Sequence, residues 1–279
     1  PTLQSSFVAA RRIAEITDLE TETELYTSKQ PYTFKNNIRI ENVNFQYGFR
    51  SVVLKDINLN IKKGQKVAIV GESGSGKSTI GKLLNRYYTA SEGNIMIDNY
   101  IIDDIDLSDL RKNIGYVSQN TFLFADTIKN NLLHGSNKYK SDEDIVKACQ
   151  LAESLDFIQK FPDQFNTMLE KEGANLSGGQ GQRLSLARTF LKDPDIYIFD
   201  EATSALDSLT ENKIMEHIDL LTQHGKTVII ISHKLSTIKN ADNIYVLNEG
   251  QIAENGTHDE LIHLNGIYKN LWQLQMKID

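Results

Sequence analysis

Lys66–Val70 is a short apolar run, and Gly71-Glu72-Ser73-Gly74-Ser75-Gly76-Lys77-Ser78 follows it directly. The eight residues fit G-x-x-x-x-G-K-S, and a helix is expected from Ser78 to about Tyr87. A strand, a glycine-rich turn and a helix in that order point to an α/β fold. They also give the turn a chemistry. The glycines let the backbone curl so that several N–H groups face one phosphate chain. Lys77 can reach the β and γ phosphates, and Ser78 can bind Mg²⁺. The helix adds its positive N-terminal end. A glycine-rich turn without a ligand is the plainer alternative; the strand before it and the helix after it count against that.

Ile196-Tyr197-Ile198-Phe199 is a continuous apolar run, suited to a parallel strand buried on both faces. It ends in Asp200-Glu201. Adjacent carboxylates at a buried strand end are costly unless a cation or hydrogen bonds compensate. Mg²⁺ beside the phosphate loop would do so. Asp200 could then hold a metal-bound water, and Glu201 could orient or deprotonate an attacking water. Alone, the pair reads as carboxylates opening a turn. Gln119 follows an expected strand at Ile114–Val117, and His233 follows one at Thr227–Ile231. Ligands of open α/β sheets bind beyond the carboxyl ends of the strands. A histidine after a strand is usually a surface residue. Here it completes a convergence of four strand ends, which favours a γ-phosphate contact. Tyr47 lies after the first expected strand, Ile38–Phe45, where its ring could stack on a nucleobase. A core or surface tyrosine is the default for that position.

A second anion site is legible about a hundred residues downstream. Leu176-Ser177-Gly178-Gly179-Gln180-Gly181-Gln182-Arg183 opens a helical apolar run through Leu184, Leu186, Ala187 and Leu191. A serine and two glycines at a helix start leave backbone N–H groups free to meet an anion.

The chain has 279 residues, enough for one or two domains with a sizeable core. Its net charge of −7 counts against a nucleic-acid groove, which needs a basic face, but not against a local phosphate site. Cys149 is the one cysteine, so no internal disulfide forms, and its apolar helical setting suggests a buried structural thiol. The six histidines lack metal-ligand spacing, so no zinc site is expected. No apolar run approaches the ~18–20 residues that span a bilayer, and no signal peptide is visible. The expectation is a soluble chain, compatible with excision from a larger membrane protein.

Residues 1–30 differ from the rest. Phe7, Val8, Ala10, Ile13 and Ile16 could share one face of a short helix, and an acidic, Thr-rich stretch follows at 17–27, reading as a linker or docking segment. Further strands are expected around Ile57–Ile61, Asn94–Ile97, Ile244–Leu247 and Gln251–Glu254. Residues 119–191 read as helical, with a capping box at Ser141–Asp144. Helices at Ser208–Gln223 and Asp259–Gln275 complete the body.

Tyr47, Gly71–Ser78, Gln119, Leu176–Gln180, Ile196–Glu201, Ser204-Ala205-Leu206-Asp207 and His233 stand in the order of seven motifs. Over about residues 31–279 the chain resembles the ATP-binding cassette nucleotide-binding domain. The motifs match its A-loop, Walker A, Q-loop, signature, Walker B with catalytic glutamate, D-loop and H-loop. The resemblance implies an α/β P-loop NTPase core: a RecA-like mixed sheet, an antiparallel β subdomain, and an α-helical subdomain inserted at about 120–191. It implies a Mg²⁺-dependent ATPase. Glu201, His233, Lys77 and Gln119 would be catalytic. Tyr47, Gly71, Glu72, Ser73, Gly74, Ser75, Gly76, Lys77, Ser78 and Thr79 would bind ATP, and Ser78, Gln119 and Asp200 would serve the metal. Two such domains meet head to tail around two ATP molecules. Ser177, Gly178, Gly179, Gln180 and Asp207 would therefore act on the nucleotide of a partner domain, most simply a second copy. The other implied partner is a transmembrane domain, with this domain on the cytoplasmic face of the cell membrane and no nucleic acid involved.

The subclass looks like an exporter. Val8–Ile16 resembles the stretch leading from the last transmembrane helix into the cassette. Ala174-Asn175 and Asn255-Gly256-Thr257-His258 are also exporter-like. Among exporters the chain is similar to bacterial peptide and bacteriocin transporters that carry a peptidase domain. Multidrug and lipid exporters share most of these features. Exporters often carry T-E-V-G-E-R-G before the signature; here Thr167–Gly173 reads TMLEKEG, which reorders the charges at Glu170, Lys171 and Glu172. An importer ATPase, a soluble cassette ATPase acting on DNA or ribosomes, and a non-hydrolysing ATP clamp are the alternatives. The leading segment, the lack of a basic face, and the presence of Glu201 with His233 count against them in turn.

Overall fold

The computed structural model describes residues 2–19, 32–136 and 139–276. Its strands are β1 (Asn37–Gln46), β2 (Val52–Lys62), β3 (Lys66–Val70), β4 (Glu92–Ile97), β5 (Tyr100–Ile101), β6 (Ile114–Val117), β7 (Ile196–Asp200), β8 (Thr227–Ile231), β9 (Asn243–Asn248) and β10 (Gln251–Gly256). Its helices are α1 (Thr2–Thr17), α2 (Lys77–Leu84), α3 (Leu107–Asn113), α4 (Ile128–Leu133), α5 (Asp142–Leu151), α6 (Leu155–Ile158), α7 (Gly178–Lys192), α8 (Ser208–Gln223), α9 (His258–Leu264) and α10 (Ile267–Met276).

The strands form two sheets, ordered β2-β1-β4-β5 and β10-β9-β3-β8-β7-β6. The first is antiparallel. In the second, β9, β3, β8, β7 and β6 run parallel and β10 returns antiparallel on β9. The mixed sheet and the separate antiparallel sheet are as the sequence led us to expect. The helices α4 to α7 lie between β6 and β7 in the chain.

The apolar runs are continuous because both faces of the parallel strands are covered. In β3, Val67 and Ile69 face the antiparallel sheet and α2, joining a core with Ile38, Ile40, Ile57, Ile80 and Leu84. Ala68 and Val70 face the other way, with Leu184 and Leu186 of α7 and Ile214 of α8. β7 and β8 alternate likewise. Each fully buried Leu or Ile contributes roughly 1.5–3 kcal/mol. Cys149 is fully buried, and burial pushes its thiol up to about 11. It is a packing residue, as its setting suggested, because a nucleophilic thiol needs the opposite shift.

The capping box at Ser141 forms with Asp144: each side chain meets the other's backbone N–H. Two helix ends depart from expectation. α2 stops at Leu84 rather than near Tyr87, because Arg86 adopts a left-handed backbone (φ 49°). That turn buries the Arg86 guanidinium, which donates to the Ile105 carbonyl (2.7 Å). The single helix expected at Asp259–Gln275 is two, α9 and α10. Asn265 is left-handed (φ 54°), and a Cβ at Gly266 would lie 1.9 Å from a carboxylate oxygen of Glu254. That carboxylate accepts from the N–H groups of Ile267 (2.5 Å) and Tyr268 (3.0 Å), capping the new helix.

At the chain's start, α1 forms where the apolar spacing indicated. Its Phe7, Val8, Ile13 and Ile16 are all exposed. Residues 20–30 of the expected linker lie outside the described residues. Among the described residues no helix is long and apolar enough to cross a membrane.

Candidate active site

β3, β8, β7 and β6 are consecutive neighbours and parallel, so their carboxyl ends fall on one edge of the sheet. The loops leaving those ends carry Lys77 with Ser78, His233, Asp200 with Glu201, and Gln119. They meet at a cleft of about 600 Å³ lined by Tyr47, Ser73, Gly74, Gly76, Lys77, Ser78, Thr79, Gln119, Glu201 and His233.

The phosphate loop is fixed from behind. Gly71 has φ 149°, and a Cβ there would lie 2.1 Å from the Leu247 carbonyl oxygen of β9. Only glycine allows that approach. Lys77 is 5 % exposed and folds back over the loop, donating to the carbonyls of Gly71 (2.9 Å) and Glu72 (2.6 Å). Burial lowers its affinity for the proton, and Glu201 and Asp200 oppose that shift. Ser75 Oγ is buried without a hydrogen-bond partner. An unsatisfied hydroxyl and an ammonium donating to its own loop suit a polyphosphate, which would engage both.

Asp200 is 2 % exposed at the end of β7. Oδ1 accepts from Ser78 Oγ (2.8 Å) and Oδ2 from the Tyr116 hydroxyl (2.8 Å). Burial pushes its carboxyl up, against both hydrogen bonds. Burial and the neighbouring Asp200 drive the Tyr116 phenol far up, so it remains a proton donor. A desolvated carboxylate beside a serine hydroxyl is a hard-oxygen donor set that fits Mg²⁺.

Glu201 is the next residue and has a left-handed backbone (φ 50°), a strained choice for glutamate. Its N–H donates to the Ile231 carbonyl of β8 (2.9 Å). This turn separates the two acids: Asp200 points inward, while Glu201 reaches into the cleft. There Oε2 accepts from Gln119 Nε2 (2.6 Å) and Oε1 lies 3.0 Å from His233 Nδ1. Side chains from the ends of β6 and β8 thus hold the carboxylate of β7.

Tyr47 sits on the cleft's rim, edge-on to Phe45 (4.8 Å between ring centroids) and Tyr88 (5.0 Å). Its hydroxyl is 3.0 Å from Thr79 Oγ1. The signature is elsewhere. Ser177 caps α7, accepting from the Gln180 N–H (3.2 Å), while Gln180 Oε1 accepts from the Ser177 N–H (2.9 Å). Ser177 and Gly178 line a second cleft of about 570 Å³ that shares Gln119 with the first, and Asp207 caps α8 by accepting from the Thr210 N–H (3.0 Å). The structure therefore brings together the phosphate-loop, Gln119, Glu201 and His233 set, and keeps the signature out of it.

Two residues escaped the sequence reading. Tyr116 was legible only as a polar end on a strand residue. Gln182, inside the quoted LSGGQGQR stretch, is 4 % exposed; its Nε2 donates to Ser204 Oγ (3.1 Å) and its Oε1 accepts from the Ala205 N–H (3.0 Å). Its signal was a glutamine one turn before Leu186 on the buried face of α7.

A phosphate loop with paired acids at adjacent strand ends defines a nucleotide-binding α/β domain. Residues 54–204 match the family described as ABC transporter. The chain is 43% identical over 274 residues to the ATP-dependent lipid A-core flippase of Pasteurella multocida, an alignment covering 98% of this chain and 47% of that protein. It is 46% identical over 260 residues to an uncharacterised ABC transporter ATP-binding protein, YwjA, of Bacillus subtilis, covering 92% of this chain and 45% of the other. Its structure matches that of a bacterial Atm1-family ABC exporter with ATP bound, with a TM-score of 0.91 at 35% identity, covering 98% of this chain and 48% of that one. The chain belongs to the ABC transporter family, as an ATP-binding domain of exporter type. It spans about half the length of the curated relatives it matches.

Proposed function

We propose that this domain hydrolyses ATP to drive an exporter, working as a head-to-tail dimer attached to a transmembrane domain on the cytoplasmic face of the membrane. The observation that carries this is the Glu201 carboxylate, held by Gln119 and His233 in the cleft that Lys77 and Ser78 line. Tyr47 stacks on the base. The loop Gly71–Thr79 takes the phosphates, and Lys77 exchanges its bonds to Gly71 and Glu72 for the β and γ oxygens. Glu201 orients water for in-line attack on the γ-phosphorus and draws its proton as the bond to the β–γ bridging oxygen breaks and ADP leaves, while Lys77 and His233 stabilise the charge that develops. Ser78, Asp200 and Gln119 would hold Mg²⁺, which would supply positive charge beside the phosphates.

Ser177, Gly178, Gly179, Gln180 and Asp207 serve the partner's nucleotide; their separation from this chain's own cleft supports that assignment. The domain extends over residues 31–279, with its helical subdomain at about 120–191 and residues 1–30 as the link to the transmembrane part. The exposed Phe7, Val8, Ile13 and Ile16 support the last assignment.

Glu201→Gln tests the reading. Phosphate release should fall by two orders of magnitude or more, about the scale of a lost general base. ATP should still bind and, by gel filtration, promote dimers. Unchanged turnover would remove Glu201 from the mechanism.

A further inference from the structure

α10 ends against the loop that carries His233. Tyr268 is fully buried, and Trp272 stacks beside it (6.4 Å between centroids), so the helix is anchored to the core before its last turn. At that turn the Gln275 amide closes on the loop twice. Nε2 donates to the His233 carbonyl oxygen (2.5 Å), and Oε1 accepts from the Leu235 N–H (2.9 Å). β8 ends at Ile231, so no strand ladder reaches these two groups. Between them, the Lys234 ammonium pairs with the buried Glu211 of α8, which also accepts from Thr203 Oγ1 (2.9 Å). α8 and α10 grip the loop from two sides. The His233 side chain is 60% exposed and reaches Glu201 from a backbone whose place these contacts set.

We propose that Gln275 is a positioning residue for the site: its paired amide bonds fix the backbone from which His233 reaches the γ-phosphate. The proposal rests on the role given to His233 above. It makes the hydrolysis rate depend on a residue 42 positions downstream in the C-terminal helix. Nucleotide affinity should not follow, because Gln275 is not among the residues that line the cleft. Small displacements of a charge-stabilising group cost rate more than binding.

Gln275→Leu removes both bonds at similar size. Gln275→Glu keeps the acceptor for Leu235 and sets a carboxylate against the His233 carbonyl. In steady-state phosphate release, kcat should fall roughly 10-fold for either, the scale of one or two lost hydrogen bonds, with KM for ATP unchanged. In a His233→Ala background, Gln275→Leu should bring no further loss, whereas a merely structural role would lower turnover by the same factor in both backgrounds. Amide hydrogen exchange over residues 232–238 should speed up in Gln275→Leu, which reads the clamp without activity. Unchanged kcat, equal losses in both backgrounds, or unaltered exchange would each overturn the proposal. His233→Ala alone judges the earlier assignment: wild-type turnover there would remove His233 from the mechanism, while the exchange result would still decide whether Gln275 holds the loop.

Discussion

Ser78 and Asp200 stand 122 positions apart in the chain, yet Ser78 Oγ donates to Asp200 Oδ1 at 2.8 Å. β3 and β7 flank β8, and the loop after β3 brings Ser78 over the end of β7. The pair is closed from the far side by the Tyr116 hydroxyl, and burial raises the cost of leaving the carboxylate without a cation.

That geometry predicts metal dependence. Ser78→Ala and Asp200→Asn should each raise the Mg²⁺ concentration for half-maximal ATPase activity on the order of 10–100-fold, the usual penalty for disturbing a metal's immediate surroundings. A Mg²⁺ titration of phosphate release checks this. Chelation with EDTA should stop turnover of the unaltered domain.

The rim position of Tyr47 predicts a loss confined to binding. Tyr47→Ala should weaken ATP affinity roughly tenfold, since base–aromatic stacking is worth about 1–3 kcal/mol. Tyr47→Phe should keep most of it, although the bond to Thr79 is lost. Fluorescent-nucleotide titration gives both numbers, and unaltered affinity in the alanine variant would remove the stacking role.

The absence of every signature residue from the lining of the nucleotide cleft predicts action in trans. Ser177→Arg should block hydrolysis by filling the partner's γ-phosphate position, and Lys77→Ala should block it in the same chain. Mixed in equal amounts, the two inactive variants should recover on the order of a quarter of wild-type turnover, because a two-fold dimer formed at random then contains one intact composite site in half of its pairs. No recovery on mixing would place Ser177 with its own nucleotide.

Lys192, at the end of α7, predicts a pH effect on stability. Burial, with help from Arg111, holds its ammonium down to about 8, against an ordinary value of 10.5. Its Nζ donates to the carbonyls of Arg111 and Ile114 (2.7 Å for the latter). Between pH 8 and 10.5 the unfolded chain holds this proton and the fold does not, so this group's contribution to stability rises with pH across that window. Lys192→Met should flatten the rise, read as the difference between urea midpoints of the two proteins at pH 7.5, 9 and 10. A parallel pH dependence in both would show that Lys192 titrates normally.

The seven motifs were legible because each is a short contiguous stretch whose chemistry is local. Glycines set a turn, and a polar residue follows an apolar strand. The C-terminal helix break was not legible. Nothing in the spacing of residues 259–275 shows that Glu254, on a separate strand, will cap a helix at Ile267. The early stop of α2 has the same origin: Arg86 turns left-handed to bury its guanidinium against Ile105.

The sequence alone was sufficient for the α/β class, the phosphate loop, the acid pair and the family, because periodicity and contiguous motifs are properties of neighbouring residues. Tertiary structure decided what those parts do to one another. Strand order places β6, β7, β8 and β3 side by side, so Gln119 and His233 can hold Glu201 from opposite flanks. Packing turns Asp200 inward to Tyr116, sends the signature to a different cleft, and brings Gln275 under the His233 loop. These contacts join residues tens to more than a hundred positions apart, and which of them meet is set by how the sheet and helices bury their apolar faces.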